Sequence, residues 1–479
     1  MKHASIPAAA LLSALSGGAL AQPSSCAWEF FPTPSISDRL HLLYDIDGLA
    51  DDDVWAVGRA TKADFKTETF AIHFDGSTWT QTPTPSPSII SGWNDLWGVV
   101  VLGPDDVIAL GSYNPDSGGA TQSLAIRWDG SNWSQINAPF ITGGSAFYDA
   151  ERIGNDIWGV GGRRWGIAPP AAAGIALAAR WDGSDWNEEF VPPLAELGGR
   201  SYNDFRAVHG VSADDVWGVG DAQQTGPTDP FGPRTYMVHW NGSEWSLVDF
   251  PFGNPFFSAL NDVFAIAADD VYAVGYTLVG NEGTQPLIAH YDGSSWSQVN
   301  LPIFPEGSCE LRAVTARSTN EVYAFGTWAE DNGSPRDLIL RFDGKEWAVM
   351  PAAPDKEDEW FRTAFTLPSG TIWAGGQYLE PTYGTIALAE RLACTPSDPC
   401  PADLTGSSDP NDPTFGVPDG DADGDDFFFY LDAFATTDLG TCDLTGSSDP
   451  SEPTFGSPDA DCDGDDFFFY LDLFVAGCS

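Results

Sequence analysis

A repeated unit of about 50 residues constrains the fold of this chain more than any other feature. In the stretch from Arg206 to Pro251, two short apolar runs are joined by SADD and two more are joined by NGSE. Short apolar runs separated by such tight turns are typical of consecutive antiparallel strands. The unit is therefore predicted to be a four-stranded meander.

Seven copies of the second strand of this unit align. Their central residues lie 50–59 positions apart and are Trp55, Ile108, Trp158, Trp217, Tyr272, Tyr323 and Trp373. Runs such as VWAVG lack the alternation expected of a sheet with one solvent-exposed face, so both faces should be covered. Seven meanders covered on both faces predict an all-β fold, a seven-bladed β-propeller.

Six of the seven units share an Asp-Gly or Asn-Gly turn, followed by a final strand that begins with Trp. The turn permits the positive φ angles of a tight hairpin, and the indole supplies a large packing group. These tryptophans are Trp79, Trp133, Trp186, Trp245, Trp296 and Trp347. We expect turn and core roles for them rather than a ligand cage.

The seventh unit lacks its last strand, and the N-terminal sequence supplies a matching one. The segment CAWEFFPTP, which begins at Cys26, has the Trp-to-Pro layout of WSLVDFP and is expected to close the ring. The alignment places Cys26 beside Cys394, which predicts a disulfide bond in an exported chain. Two free cysteines are the alternative. Cys309 has no obvious partner and is the candidate for an unpaired thiol.

The chain begins with the features of a secretory signal peptide. Lys2 precedes an apolar run over residues 6–15 and an Ala-Leu-Ala sequence that ends at Ala21. The run is too short to cross a bilayer as a helix. We expect cleavage of residues 1–21, a propeller over residues 22–396 and a small domain over residues 397–479. The mature protein is expected to be secreted or held at the cell surface, with no membrane span.

The charge balance is strongly acidic. The chain has 69 acidic and 21 basic residues, for a formal net charge of −48. Nucleic acid and anionic lipid are disfavoured as partners, because phosphate binding requires a basic patch. The repeat pattern resembles that of exported bacterial propellers with kelch-like blades, and this resemblance implies a fold but no reaction.

The loops between the second and third strands are the least regular part of the predicted propeller. They share a face with the linkers between blades, and two of them lengthen over residues 162–174 and 221–235. Arg163, Arg164 and Trp165 form a cation and aromatic group suited to a carboxylate or a sugar. The alternative is an exposed loop whose arginines pair with local acids.

No catalytic residue is predicted. Nucleophile-elbow, zincin and phosphate-loop motifs are absent from the sequence. His73, His239 and His290 occupy the same third-strand position in three units. A position that recurs in this way indicates packing rather than ligand binding.

The acidic tail is a duplicated segment. The 32 residues from Asp403 recur in near-identical form from Asp443, and neither copy contains Lys or Arg. Asp-rich loops followed by an apolar helix suit a hard cation, and Ca²⁺ is the expected ion; a flexible acidic tail is the alternative. The tail resembles a dockerin of the type that ends in Gly-Cys and occurs in planctomycete-like bacteria. The resemblance rests on the DLTG, Asp-cluster and FFFYLD motifs and on the terminal Gly477-Cys478. The resemblance implies paired calcium loops and a cohesin-like or other cell-envelope partner.

Two ligand registers are open for the calcium loops. A local register through Asp419, Asp421 and Asp423 places Tyr430 where a bidentate acid is required. The preferred register instead ends on an acid at the helix start, which also suits the helix dipole. Its predicted ligands for two Ca²⁺ ions are Asp403, Thr405, Asp423, Asp426, Asp443, Thr445, Asp463 and Asp466.

The leading hypothesis is an exported, non-enzymatic propeller that binds a glycan or a protein, or acts as a scaffold, and is attached to an extracellular assembly by the calcium-dependent tail. The alternative is a glycan-degrading enzyme that the tail recruits to polysaccharide, and a third hypothesis is a surface coat. Two or three carboxylates and an Arg at the channel mouth are expected for the enzyme. Small apolar groups at the mouth are expected for the binding protein.

Overall fold

The structure is a computed structural model, and its described residues cover most of the predicted propeller. They are residues 26–34, 40–139, 143–164, 174–194, 201–224, 232–253, 257–280, 283–302, 304, 307–330, 336–351, 359–380 and 384–394, with 427, 429–431 and 470 in the tail. Ala27–Ala393 belong to one compact unit, and Tyr430 and Tyr470 belong to a second. The predicted signal peptide lies outside the described residues.

The described part of the larger unit consists of four-stranded antiparallel sheets, which we number as blades 1 to 7. Blade 1 comprises β2 (His41–Ala50), β3 (Asp53–Thr61), β4 (Thr67–Phe74) and β5 (Trp79–Gln81). Blade 2 comprises β6 (Asn94–Gly103), β7 (Asp106–Tyr113), β8 (Gln122–Trp128) and β9 (Trp133–Ile136). Blade 3 comprises β10 (Ser145–Ile153), β11 (Asp156–Arg164), β12 (Gly174–Trp181) and β13 (Trp186–Glu189).

Blades 4 to 7 follow in the same order. Blade 4 comprises β14 (Ser201–Ser212), β15 (Asp215–Gln224), β16 (Arg234–Trp240) and β17 (Trp245–Leu247), and blade 5 comprises β18 (Ser258–Ala267), β19 (Asp270–Leu278), β20 (Thr284–Tyr291) and β21 (Trp296–Gln298). Blade 6 comprises β22 (Gly307–Ser318), β23 (Glu321–Glu330), β24 (Arg336–Phe342) and β25 (Trp347–Met350). Blade 7 comprises β26 (Glu359–Thr366), β27 (Ile372–Glu380) and β28 (Gly384–Cys394), with β1 (Cys26–Phe30).

The blades are arranged in a closed ring. Within blades 1 to 6 the strands are hydrogen-bonded in chain order, and in blade 7 the order is β26, β27, β28 and β1. The first strands of successive blades contact one another, and β26 contacts β2. The fold is therefore the predicted all-β, seven-bladed propeller, with the first strands around a central channel.

The N-terminal strand closes blade 7, as the sequence predicted. Beyond β1, the amide of Phe31 donates to the carbonyl of Ala389 at 3.0 Å. Trp28 is buried and meets Phe325 of blade 6 edge to face, with 5.7 Å between ring centroids. Trp28 thus occupies the place that the final-strand Trp takes in the other blades, and β1 pairs with the otherwise open edge of β28.

Aromatic contacts between blades make up much of the core. Trp133 of blade 2 meets Trp55 of blade 1 edge to face at 5.4 Å, and Trp79 of blade 1 meets Trp373 of blade 7 at 5.3 Å. Trp55 and Trp373 are at most 1% exposed. Because each second strand is covered on both faces, its residues show none of the alternation of a half-exposed sheet.

The turns before the final strands adopt the predicted left-handed glycine conformation. In the first of them, Gly76 has a φ of 88°, and one carboxylate oxygen of Asp75 accepts the amides of Ser77 and Thr78 at 3.0 and 2.8 Å. The corresponding glycines also have positive φ and are Gly130, Gly183, Gly242, Gly293 and Gly344. The Asp-Gly and Asn-Gly pairs are therefore turn residues.

Tyrosines from the two copies of the tail meet each other. Tyr430 and Tyr470 occupy equivalent positions in the duplicated segments, are both buried, and stack with 3.8 Å between ring centroids and 5° between planes. Phe427, Phe429 and Leu431 are also helical. Within the described ranges, no helix has the length and apolar character needed to cross a membrane.

Candidate functional site

A β-bulge interrupts the first strand of every blade and creates a ring of side chains at the channel mouth. In blade 1 the register shifts between Leu43 and Asp45, which leaves Tyr44 as the extra residue, and the other six first strands shift at the aligned place. Bulges of this kind re-aim a side chain. The seven bulge residues are Tyr44, Trp97, Tyr148, Arg206, Asn261, Arg312 and Arg362, and all of them line one cavity.

The mouth opens on the face that carries the loops between second and third strands. This follows from the pairing of His41, at the start of β2, with Ala60, near the end of β3. The cavity has a volume of about 280 Å³. Small-molecule sites in proteins occupy clefts of this order of size, where a few polar groups converge on an apolar lining.

Blades 1 to 3 contribute the aromatic half of the mouth. Tyr44 and Trp97 stack with 3.9 Å between ring centroids and 29° between planes. Tyr148 meets Trp97 edge to face at 5.9 Å. All three side chains are half-buried, so they are held by packing yet still reach the cavity. The result is a rigid, preorganised aromatic platform, in which Tyr44 and Trp97 cover each other's facing sides.

Blades 4, 6 and 7 contribute three arginines. Arg206 pairs with Asp221 at 2.8 Å, and Arg312 pairs with Glu310. Arg362 lies over the Tyr44 ring, with its guanidinium carbon 5.5 Å from the centroid. This half of the mouth can hold an anion, because guanidinium groups bind carboxylates through paired N–H donors.

Arg362 differs from its neighbours in having no acid partner. In the described part of the chain, no carboxylate oxygen lies within 4.0 Å of its guanidinium, and its Nε has no acceptor. Its closest polar contact is a long one of 3.5 Å from Nη2 to the side-chain oxygen of Gln377. Burial, reinforced by the nearby Arg312 and Arg59, lowers the pKa of Arg362 to about 10.

Below the mouth, buried aspartates connect neighbouring blades. Asp45, Asp149 and Asp262 belong to blades 1, 3 and 5, and each directly follows its bulge residue. One oxygen of each accepts the amide of the following residue, and the other accepts an amide of the next blade at 2.8 Å. These carboxyls are therefore occupied by backbone donors and hold the ring together.

Two further acids and one histidine line the channel. Asp47 accepts the amides of Gly48 and Val101, and burial raises its pKa to about 7. Burial and the surrounding aspartates raise the pKa of Glu151 well above its ordinary value. His209 accepts the amide of Ala265 at Nδ1, and burial lowers its pKa to about 4. A neutral imidazole with this nitrogen occupied is poorly placed to act as a base.

The recurring histidines have packing roles, as predicted. Nε2 of His73 lies 2.8 Å from Asp53, and the ring stacks on Trp55 with 4.5 Å between centroids. The corresponding distances to the acids of their own blades are 2.7 Å for both His239 and His290. Within the described ranges, no group of three or more His, Cys, Asp or Glu residues could hold a metal ion.

The predicted loop site lies only partly within the described residues. Arg163 donates to Glu188 at 2.7 Å and does not line the mouth cavity. The Arg164 side chain and Trp165 lie outside the described residues, so a site formed by the three residues remains a prediction.

The metal and disulfide predictions also fall outside the described side chains. None of the eight predicted calcium ligands is among the described residues. Cys26 and Cys394 begin and end hydrogen-bonded strands of blade 7, but their side chains are not described, so the disulfide remains a prediction. Cys309 is free and buried, in agreement with its expected role as an unpaired thiol.

The mouth shows part of the pattern expected for the enzyme. Two carboxylates, Asp204 and Asp221, line it together with three arginines, and Asp221 pairs with Arg206. It lacks the lining of small apolar groups expected for a binding protein, and the other channel carboxyls lie beneath it and are bonded largely to backbone amides. Sequence reasoning missed the seven bulge residues because it aligned the second strands. Aligning the first strands reveals them, as a column that changes from blade to blade directly after a Leu or Phe.

Comparisons with known proteins identify no family for this chain. No family model matches the chain, and no curated protein does. Among solved structures, YCF48 bound to D1 peptide is 15% identical, with a TM-score of 0.46 over 79% of this chain and 99% of that one. An ulvan lyase, a polysaccharide lyase, is 10% identical with a TM-score of 0.46 over 72% and 94%. A xyloglucanase from Xanthomonas campestris is 15% identical with a TM-score of 0.45 over 76% and 55%. At these identities and TM-scores the likenesses assign no function to this chain.

Proposed function

We propose that this chain is an exported, non-enzymatic binding propeller whose ligand site is the channel mouth. One observation carries the proposal: aromatic rings and arginines converge at the mouth, whereas the channel aspartates below it are bonded to backbone amides. A glycosidase requires two carboxyl groups that can flank a glycosidic bond. The bonded channel aspartates do not provide such a pair. Of the two carboxylates that line the mouth, Asp204 and Asp221, the second is held in an ion pair by Arg206.

The competing hypothesis, a glycan-degrading enzyme, has less support at the mouth. A tyrosine that acts as a base would need a lowered pKa. The pKa of Tyr44 is instead raised, mainly because the side chain is buried. The purified full chain, incubated with a panel of neutral and acidic polysaccharides, is expected to retain some of them and to release no new chain ends. New reducing or unsaturated ends that disappear in a Tyr44→Phe variant would contradict the proposal.

The proposal includes attachment through a calcium-dependent, dockerin-like tail. The stacked Tyr430 and Tyr470 support it, because equivalent residues of the two copies share a buried contact, as expected for a folded pair. The predicted loops would then hold Ca²⁺ through carboxylates near each helix start. A cohesin-like or other cell-envelope protein is the expected partner.

Limited proteolysis of the full chain tests the calcium prediction. Chymotrypsin suits the tail, which is rich in Phe and Tyr and lacks Lys and Arg. Calcium is expected to protect residues 397–479, and a chelator to expose them, because the acidic loops repel one another without a cation. Asp426→Asn and Asp466→Asn together should abolish the protection, whereas Asp409→Asn, outside the predicted ligand set, should keep it. Equal cleavage with calcium and with chelator would contradict the metal assignment.

A further inference from the structure

Among the described residues, no carboxylate forms an ion pair with the Arg362 guanidinium, since Asp221 and Glu310 pair with Arg206 and Arg312 instead. Arg362 is one of five described arginines whose buried Nε has no acceptor. Each of the other four forms an ion pair with a carboxylate, and these are Arg59, Arg163, Arg341 and Arg391. Removing a charge from water is costly unless an opposite charge replaces the lost hydration. A bound anion would supply that charge.

The neighbours of Arg362 make an anion more favourable still. Like Arg362, Arg59 lies over the Tyr44 ring, with its guanidinium carbon 5.8 Å from the ring centroid. Arg312 lines the same cavity, and its charge helps lower the pKa of Arg362. An anion at this position would relieve the repulsion among these cations, so its binding would be stronger than at an isolated surface arginine.

The aromatic platform beside Arg362 indicates what carries the anion. Arg362 contacts the Tyr44 ring, and Tyr44 stacks on Trp97, so the cation and the platform share a side chain. A ligand held at both points needs a charged group attached directly to a rigid ring with an apolar face. A hexuronic acid has this form, since its carboxylate is bonded to the pyranose ring. A flexible peptide terminus would lose more conformational freedom on binding.

Building on the proposed function, the geometry points to an acidic sugar as the ligand of the mouth. Arg362 binds the uronate carboxylate, and the aromatic platform of Tyr44, Trp97 and Tyr148 packs against the sugar ring. Arg206 and Arg312 retain their own carboxylate partners and flank the site. The site therefore distinguishes a uronate from its methyl ester.

Titration calorimetry with the full chain and a tetramer of galacturonic acid tests this inference. The methyl-esterified tetramer and a neutral glucose tetramer serve as matched probes. Since a charge-assisted hydrogen bond contributes about 1.5–3 kcal/mol, the acid should bind roughly 10- to 100-fold more tightly than the ester. Arg362→Gln should remove that preference, whereas Arg127→Gln, which changes the charge equally in an ion pair of blade 2 outside the mouth, should keep it.

Each outcome supports or overturns a distinct claim. Loss of the preference for the acid in Arg362→Gln alone supports the inference. Equal binding of acid and ester, no binding of the acid, or binding of a peptide with a free terminal carboxylate but no uronate overturns it. Binding of the neutral tetramer alone overturns the inference and leaves the binding propeller standing. Cleavage of the acid tetramer overturns the non-enzymatic function, and in that case a preference for the acid over the ester that Arg362→Gln removes still supports the inference.

Discussion

At the level of single residues, the first strands contain recurring and variable positions side by side. The position after the bulge is Asp in blades 1, 3 and 5, where Asp45, Asp149 and Asp262 accept amides from the next blade. The bulge position itself changes from Tyr44 in blade 1 to Arg362 in blade 7. Recurrence indicates a structural requirement, whereas variation leaves the side chain available for a ligand.

The aspartate bridges give a prediction at this scale. Asp262→Ala removes the acceptor of the amides of Val263 and Val314, and a buried unsatisfied donor costs about 1–3 kcal/mol. We expect the free energy of unfolding to fall by at least this amount in urea titrations. Asp262→Asn should cost less, since one carbonyl acceptor remains and the buried charge is removed. Glu244→Ala, at an exposed turn, is the control. If Asp262→Ala unfolded at the same urea concentration as this control, the bridging role would be contradicted.

At the level of elements, the closure of blade 7 joins segments more than 350 residues apart in the chain. β1 packs Trp28 against Phe325, and Glu29 pairs with Arg391 at 2.6 Å. Opening this sheet would expose the edge of β28 and separate blade 7 from its outer strand. Long-range closure of this kind has a large loop entropy, which a covalent bond would offset.

The predicted disulfide between Cys26 and Cys394 belongs to this scale. A bond at the closure should stabilise the ring by about 2–4 kcal/mol, mainly by restricting the unfolded chain. Mass spectrometry of peptides without reduction should find the two cysteines linked, and a reducing agent should lower the melting temperature. Cys309→Ala is the control, since this buried thiol is free, and it should leave the response to reductant unchanged. Complete alkylation of Cys26 and Cys394 in the native, unreduced protein would refute the pairing.

At the level of the whole molecule, acids converge in the channel of an already acidic chain. Burial raises the pKa values of Asp47 and Asp149 to about 7 from an ordinary value of 3.8, and it raises that of Glu151 as well. Between about pH 4 and 7 the folded ring thus retains protons that the unfolded chain has released. This contribution to stability is complete below pH 4 and is lost as the pH rises through 7.

The pH dependence of unfolding follows from these groups. His41 and His209 act in the opposite direction, since burial lowers the pKa of both, that of His209 to about 4, and their contribution is lost as the pH drops from 6.5. The acids whose pKa is raised, which include Asp45 and Asp262, outnumber these two histidines. The melting temperature of the propeller should therefore be higher at pH 5 than at pH 8. Glu151→Gln should reduce this difference, and Glu244→Gln should not; a melting temperature that rises from pH 5 to pH 8 would disprove the linkage.

The propeller, its seven blades and the strand that closes it can all be predicted from the sequence. These features depend on local turns and on apolar runs that repeat every 50–59 residues, so they are legible along the chain. The Asp-Gly turns and the packing roles of Trp79 and His73 are likewise local and were correctly predicted. Each follows from chemistry within a single blade.

The candidate site could be identified only from the tertiary structure. Tyr44, Trp97 and Arg362 lie on three different blades, and none stands out in its own strand. They meet because seven bulges turn one side chain each toward a common axis, and because β26 contacts β2 to close the ring. Whether Arg362 has an acid partner likewise depends on neighbours distant in sequence. Such convergence is a property of the closed ring, which no single repeat contains.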